Sequence, residues 1–267
     1  MCTLWIQIFF LIGATNCVVQ GRSTELAGVI QVDNGKHTII NGGEYPYVAQ
    51  IFDGKHRICV GTIVGSKTVL TVGSCIQKIS RNTKIVAGII SNKFIRTAQT
   101  VGVEQVIQHN CADLTLITTS KKFSYDKYVQ KVKLASTAQR DRNIGKLVTI
   151  MGFHMVNAIQ PSFLHWADVN LLSEDGCKAD FKGLKVALKN KLCVIGAEKD
   201  VAIGKRDYGA PLVKIVEGKA YLLGIASEVT LVKNKPSTKK PIIYTDVTEL
   251  ENFIKNPNNR PTGCFGL

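Results

Sequence analysis

The sequence predicts an all-β protein made of two six-stranded antiparallel β-barrels, with a short helix near its C-terminus. Three observations support this prediction. Short runs rich in β-branched residues recur between Gly, Asn, Asp and Ser turns, which is typical of barrels. A charged stretch, 121–142, divides these runs into two series of six. Helical periodicity is convincing only at the end of the chain.

Residues 1–21 are predicted to form a secretory signal peptide. Leu4–Ala14 is an apolar run of signal-peptide length, and no charged residue precedes Arg22. The run is shorter than the roughly 20 apolar residues that span a bilayer, and no later segment approaches that length. We therefore expect a secreted, extracellular protein that does not insert into membranes.

Residues 22–38 are predicted to be a pro-segment, or an N-terminal arm that stays attached. The segment is polar and turn-rich, and it ends at the apolar pair Ile39 and Ile40. The first barrel is then expected over 39–134. The second barrel, with the C-terminal helix and tail, is expected over 135–267.

Twelve strands are predicted, six in each barrel, and the two halves look alike in architecture but not in sequence. The strands of the first barrel are Tyr47–Phe52, Ile58–Val64, Thr68–Val72, Lys84–Ile90, Val101–Ile107 and Leu114–Thr118. Those of the second barrel are Lys146–Phe153, Trp166–Leu172, Lys191–Val194, Pro211–Val216, Tyr221–Ser227 and Pro241–Asp246.

The C-terminal helix is predicted from a capping box and an apolar face. In the box, the side chains of Thr248 and Glu251 each accept a hydrogen bond from the free backbone N–H of the other residue. Leu250, Phe253 and Ile254 supply the apolar face, and a proline ends the helix.

The chain carries a formal net charge of +14, with lysines clustered in loops. Such a surface is expected to attract anionic or acidic partners, although most surface lysines only keep a protein soluble. No recognition helix, zinc finger or aromatic-interleaved basic strand accompanies the charge, so no nucleic-acid partner is predicted. The basic stretches are 121–133, Lys185, Lys189, Lys191, Lys233, Lys235, Lys239 and Lys240.

The sequence contains no motif for a cofactor or a metal. GxGxxG, P-loop, HExxH and EF-hand patterns are absent. Removal of the signal peptide leaves an even number of cysteines, which suits disulfide bonds in an oxidising compartment. No CxxC pair occurs and no His lies at ligand spacing from two cysteines, so a structural zinc site is not expected.

Five blocks of the sequence resemble the trypsin-like serine proteases, whose fold is the two-barrel chymotrypsin fold. The blocks occur in that family's order and spacing, which makes the set specific although each block alone is weak. They are IINGGEYPY (39–47), CVGTIVGSKTVLTVGSC (59–75), DLTLI (113–117), RDYGAPLV (206–213) and KPIIYTDV (240–247).

The resemblance implies that two of the three catalytic positions have changed. The family's general-base His position holds Ser74 and its nucleophilic Ser position holds Tyr208, while the orienting Asp remains as Asp113. Ser74 cannot relay a proton as imidazole does, and a phenol with a pKa of about 10 is a poor nucleophile at neutral pH. None of the five His residues lies where the motifs place a base. We therefore expect no protease activity.

The same resemblance implies that the surroundings of the site have changed. A Gly whose N–H helps to bind the oxyanion corresponds to Arg206, and losing one such donor costs about 3–4 kcal/mol of transition-state stabilisation. The base of the specificity pocket corresponds to Ala202, and two pocket glycines correspond to Val229 and Ile242. The Arg206 side chain is expected to crowd the oxyanion site, and the branched side chains are expected to fill the cleft.

Activation by the family's route is not expected. In that family, cleavage after Lys or Arg frees an Ile whose amino group pairs with the Asp before the catalytic Ser. Asp207 is present here, but Thr38 precedes Ile39 and the nearest base is Lys36. Processing would need a different protease, and the alternative is an arm that stays attached.

The cysteines are expected to form three disulfides. Two correspond to family disulfides, each closing a loop of about 15 residues and contributing about 3 kcal/mol through the unfolded state. The third joins two cysteines without family counterparts and would pin the tail to the first barrel. In this order, the pairs are Cys59–Cys75, Cys177–Cys193 and Cys111–Cys264.

The replacements most closely resemble the scabies mite inactivated serine protease paralogues, relatives of the mite group 3 allergen proteases. In that family, inactive members are secreted into gut and excreta and inhibit host complement by binding its recognition and activation proteins. The resemblance implies a complement inhibitor that serves immune evasion. Two alternatives stay open: a decoy for the parasite's own gut proteases, their inhibitors or polyanions, and a weak residual protease. The oligomeric state and the binding loop are left open as well.

Overall fold

The computed structural model describes residues 29–33, 36–39, 43–89, 91, 98–153, 163–181, 188–198 and 201–257. The predicted signal peptide and the tail that contains Cys264 lie outside these residues. Within them, an N-terminal hairpin precedes two β-barrels. The hairpin strands are β1 (Val29–Asp33) and β2 (Lys36–Ile39), which pair antiparallel.

The first barrel is a closed ring of antiparallel strands with an apolar interior. Its strands are β3 (Val48–Asp53), β4 (His56–Gly65), β5 (Thr68–Thr71), β6 (Thr83–Ala87), β7 (Gln99–Gln108) and β8 (Thr115–Thr119). The order around the ring is β3-β4-β5-β8-β7-β6. Because successive side chains of a strand point to opposite faces, each strand contributes residues such as Ile51, Val69 and Ile117 to a fully buried core. Helix α1 (Gly73–Ile76) follows β5.

Two short elements connect the barrels. Strand β9 (Lys133–Leu134) is followed by helix α2 (Thr137–Asp141). A capping box starts this helix, since the Ser136 hydroxyl accepts the Gln139 N–H and the Gln139 side chain accepts the Ser136 N–H. The sequence prediction did not include this helix.

The second barrel is also a closed ring of six antiparallel strands. Its elements are β10 (Leu147–Gly152), β11 (His165–Leu171), helix α3 (Glu174–Asp180), β12 (Lys191–Gly196), a 3₁₀ helix (Lys205–Asp207), β13 (Pro211–Val216), β14 (Lys219–Val229), β15 (Leu231–Val232), β16 (Lys235–Pro236), β17 (Ile242–Asp246) and helix α4 (Glu251–Lys255). The pairings run β10-β11-β12-β17-β14-β13 and return to β10. Strands β15 and β16 form a separate hairpin, and β9 adds in parallel to β14.

The predicted fold class is confirmed. Each of the twelve predicted strands corresponds to one barrel strand, and a short helix follows the last of them. The N-terminal arm is part of this fold, because β2 pairs with β11 through the residue pairs Thr38 with His165 and Lys36 with Ala167.

The capping box predicted for the C-terminal helix is wrong. Helix α4 has Leu250 at its N-cap and no side-chain cap. The Thr248 hydroxyl instead donates to the Asp246 carboxylate at 2.7 Å, so it is not available to the helix. The apolar face is present, since Leu250, Phe253 and Ile254 are all buried.

Disulfides join Cys59 to Cys75 and Cys177 to Cys193, the two pairs that the family resemblance implies. Cys111 is also disulfide-bonded, and its partner lies outside the described residues, as does Cys264. No helix within the described ranges is long and apolar enough to cross a membrane. The same ranges contain no cluster of three His, Cys, Asp or Glu side chains suited to a metal ion.

Candidate functional site

The main chain around Tyr208 joins the two barrels. The Tyr208 carbonyl accepts the Val60 N–H of the first barrel at 2.9 Å. One residue later, the Gly209 N–H donates to the Ala226 carbonyl of the second barrel at 2.8 Å. A side chain at position 209 would collide with the Val60 carbonyl, and its φ of +87° is a conformation that favours Gly. The position of Tyr208 is therefore fixed at the junction of the barrels.

Ser74 and Asp113 lie on the first-barrel side of this junction. Ser74 is exposed on helix α1, and the neighbouring Cys75 ties that helix to β4 through its disulfide. The Asp113 carboxylate accepts the Gly73 N–H at 2.7 Å, which places Asp113 beside the start of the same helix. The structure thus brings the two sequence-predicted positions together.

Lys191 supplies the positive charge near Asp113. Its ammonium lies 3.9 Å from Asp113 Oδ2 and 3.5 Å from Glu228 Oε1. It also donates to the Ser227 hydroxyl at 3.1 Å. The Lys191 side chain is only 10% exposed, so its assignment to a solvated basic stretch is wrong. The strand β12 directs this side chain into the junction, where it contacts both carboxylates.

The Tyr208 phenol is half-buried within this group of charges. Burial is the main reason why its pKa lies above the ordinary value, and the nearby carboxylates of Glu228 and Asp113 raise it further. A backbone hydrogen bond at Val229 acts in the opposite direction. The phenol therefore reaches from the main chain of the junction towards β14 and stays protonated at neutral pH.

The positions assigned to the specificity pocket are filled with apolar side chains. Ala202, Val229 and Ile242 are all buried. Val229 and Ile242 are directly paired between β14 and β17, so their branched side chains occupy adjacent positions of one sheet. Arg206, assigned to the oxyanion site, is exposed in the 3₁₀ helix that ends one residue before Tyr208.

Asp207 is held by a cation from the first barrel. Its carboxylate accepts one hydrogen bond from the Arg57 guanidinium at 3.3 Å and one from the Phe153 N–H at 2.9 Å. The two charged side chains are 7% and 0% exposed, and the guanidinium also lies 4.8 Å from the centre of the Phe153 ring. Burial lowers the pKa of Arg57, and Asp207 opposes this shift. An internal arginine therefore stabilises the carboxylate next to Tyr208.

His109 is held in place by backbone hydrogen bonds and by packing against Phe253. The N–H groups of Cys111 and Ala112 donate to its Nδ1 at 3.1 and 2.9 Å, and its ring packs edge-on against Phe253. Burial lowers the pKa of His109, which keeps the imidazole neutral. His109 Nδ1 thus accepts hydrogen bonds from the backbone, whereas the relay of the family needs Nδ1–H to donate to a carboxylate.

A cavity of about 690 Å³ lies in the second barrel between α2, α3 and β12, and Lys191 of the junction also lines it. Among its charged side chains is Arg140, which pairs with Asp141, Asp246 and Glu249. Because these three carboxylates already surround the guanidinium, Arg140 offers little charge to a ligand.

The sequence reasoning missed Arg57, Lys191 and Glu228 as members of the site. Arg57 immediately precedes the predicted strand Ile58–Val64 and Lys191 is the first residue of Lys191–Val194, so neither charge lies inside an apolar run that would signal burial. Their partners were not predictable either, since Arg57 and Asp207 are separated by 150 residues.

The two barrels, their disulfides and the residues at their junction define a trypsin-like serine protease scaffold. The chain belongs to the trypsin family, whose sequence model matches residues 34–254.

Relatives of known identity share this scaffold over nearly their whole length. Lectizyme of Glossina austeni is 26% identical over an alignment of 271 positions, which covers 93% of this chain and 96% of the relative. Kallikrein-8 of Rattus norvegicus is 24% identical, and the alignment covers 94% of this chain and 93% of the relative. The structure of neuropsin, a serine protease expressed in the limbic system of mouse brain, gives a TM-score of 0.66 at 26% identity and covers 81% of this chain and 96% of its own.

Proposed function

We propose that this protein is a secreted, catalytically inactive member of the trypsin family that acts by binding. The observation that carries the proposal is the junction of the barrels, where Lys191 pairs with Asp113 beside helix α1. The family resemblance assigns Ser74 and Tyr208 of this junction to the base and nucleophile positions. Each of these three features removes a part of the proton relay on which acyl transfer by this route depends.

The chemistry of the junction supports inactivity in three ways. Ser74 has no basic nitrogen that takes a proton at neutral pH. The Tyr208 hydroxyl has a raised pKa, so its nucleophilic anion is rarer than for a free phenol. Ala202, Val229 and Ile242 leave apolar atoms where a substrate side chain would bind.

The partner class follows from the resemblance to the scabies mite inactivated serine protease paralogues. In this proposal, the protein binds recognition or activation proteins of host complement and inhibits the cascade, which serves immune evasion. A net charge of +14 and an otherwise intact two-barrel scaffold suit a protein whose surface rather than its cleft is used. The predicted signal peptide and the disulfides suit an extracellular site of action.

Inactivity is tested by labelling the purified protein with a serine-directed fluorophosphonate and by measuring peptide turnover. We expect no label and no turnover. The matched control is neuropsin, a serine protease of the same fold, treated identically. Turnover that survives repurification and disappears on mutation of one identified residue would mean that the protein is a weak protease.

Binding to complement is tested by lysis of sensitised red cells in human serum, titrated with the protein. The control is an active trypsin-like relative whose catalytic Ser has been replaced, because it carries the same scaffold without proteolysis. We expect dose-dependent protection by this protein only. No protection at micromolar concentration would reject complement as the target and favour a decoy role in the gut.

A further inference from the structure

Two apolar side chains are exposed close together on the outer face of the second barrel. Leu147 on β10 is 47% exposed and Ile215 on β13 is 41% exposed, and both line one cavity. The two strands are paired neighbours, and Lys214 of β13 donates to the Leu147 carbonyl at 2.8 Å. Apolar side chains that cluster on one face, unlike those scattered singly, indicate a surface that is covered when the protein works.

Two adjoining cavities border this cluster and form one groove. The first, of about 280 Å³, is lined by Leu147, Trp166 and Ile215, and the second, of about 470 Å³, is lined by the segment 43–47, the linker 130–133 and the start of β14. Tyr45 and Ile215 line both cavities. We call the two cavities together the β13 groove.

Aromatic rings form the floor of the β13 groove. The Tyr45 and Trp166 rings meet edge to face, with their centroids 6.2 Å apart. Tyr47 also packs edge to face against Tyr45. Tyr45 and Tyr47 are buried and fix the floor, whereas the half-buried Trp166 offers ring surface to a partner. Trp is among the residue types that dominate the energetic centres of protein interfaces.

The rim of the β13 groove is basic. Glu44 is an exposed acid on this rim. The Asp168 carboxylate accepts a hydrogen bond from the Thr149 hydroxyl at 3.0 Å. The charged residues among the described lining are four lysines and two acids: Lys131, Lys133, Lys214, Lys219, Glu44 and Asp168.

We propose that the β13 groove is the docking site for an acidic protein segment that carries at least one large apolar side chain. The inference deepens the proposed binding function and rests on it. An apolar side chain would fill the cavities beside Tyr45 and Trp166, and carboxylates on either side would pair with the lysines of the rim. A sulfated glycan can pair with the lysines but has no hydrophobic side chain to enter the cavity beside Trp166, so the groove favours a protein partner.

Trp166 gives a direct signal for occupancy of the groove. The chain contains two tryptophans, Trp5 and Trp166, so the variant Trp5→Phe leaves Trp166 as the only one. The full chain carrying Trp5→Phe is titrated with the peptide EEDFLDEE while tryptophan emission is recorded. We expect a saturable change in emission. The affinity should be at least about tenfold weaker for EEDSGDEE, which lacks the large apolar side chains, and for KKKFLKKK, which lacks the acidic residues.

Variants locate the peptide on the protein. We expect Ile215→Asp and Lys133→Glu each to weaken binding of EEDFLDEE at least about tenfold. The matched controls are Val232→Asp and Lys233→Glu, which change an exposed apolar side chain and an exposed lysine on the β15–β16 hairpin. Thermal melting monitored by circular dichroism verifies that each variant is folded. Equal binding of all three peptides, or full binding by both groove variants, would overturn the proposal.

Two further measurements separate this inference from the proposed function and from a glycan ligand. Heparin that binds while EEDFLDEE does not would assign the lysines to a polyanion and reject the protein segment. In the red-cell assay, protection that Ile215→Asp retains would exclude the β13 groove as the complement site while leaving complement inhibition intact. Peptide binding without any protection by the parent protein would reject complement and keep the groove.

Discussion

Replacing the buried arginine by Arg57→Leu should strongly destabilise the protein. The guanidinium lies 3.3 Å from the Asp207 carboxylate, and both side chains are almost fully buried. At an effective dielectric constant of about 20, two unit charges at this separation attract each other by about 5 kcal/mol. The substitution removes this attraction, and breaking a buried ion pair by removing one partner costs about 3–5 kcal/mol in comparable cases.

The loss should be measurable as a shift in urea unfolding, since a domain is stable by only about 5–15 kcal/mol. The matched control is Arg81→Leu, an exposed arginine whose replacement should change the free energy of unfolding by less than about 0.5 kcal/mol. The double variant Arg57→Leu with Asp207→Asn should recover much of the loss, because Asn is neutral and its amide oxygen still accepts the Phe153 N–H. A loss below about 1 kcal/mol for Arg57→Leu would refute the reasoning, as would a double variant no more stable than Arg57→Leu alone.

Three further predictions concern the junction and its surroundings. An imidazole introduced by Ser74→His should have a near-ordinary pKa by NMR titration, because Lys191 already neutralises the Asp113 carboxylate that would raise it. Adding Lys191→Met should raise the pKa of this imidazole by about one unit. An unchanged value would contradict the role of Lys191. Gly209→Ala should prevent recovery of folded protein, whereas Gly218→Ala, which has a similar positive φ but open space around it, should cost only about 1–2 kcal/mol in thermal melting. Burial lowers the pKa of His109 below the value of about 6.5 that it has in the unfolded chain, so its contribution to stability is complete above that value and is lost as the pH falls towards the folded pKa. We therefore expect His109→Gln to flatten the decline of Tm between about pH 7.5 and 5. An equal decline in both proteins would contradict this prediction.

The strands were predictable because burial in a barrel imposes a pattern that a single segment displays. Each strand alternates between the core and the outside, so β-branched runs between turn residues identify it without knowledge of its neighbours. The same reasoning failed at the C-terminal helix. Thr248 fits a capping box locally, but its hydroxyl is bound by Asp246, and such a competition between partners is settled by packing rather than by spacing.

The candidate site was predictable only in part, for a related reason. The positions Ser74, Asp113 and Tyr208 follow from motifs that lie within short segments. Lys191 was assigned to the surface, because a lysine is usually solvated, and its contact with Asp113 depends on the pairing of strands far apart in the chain. The pairing of charged groups that meet across the junction can therefore be identified only from the three-dimensional structure.

The pairing of β2 with both β1 and β11 has a consequence for proteolytic processing of the arm. Proteases cut most readily in exposed segments that are free of such pairing, whereas Lys36 lies in a strand bonded on both sides. Cleavage there must wait until β2 leaves the sheet. The rate of processing is thus set by the free energy of this local opening as well as by the specificity of the protease. A trypsin that cuts after every accessible lysine should spare Lys36 for as long as the sheet remains closed.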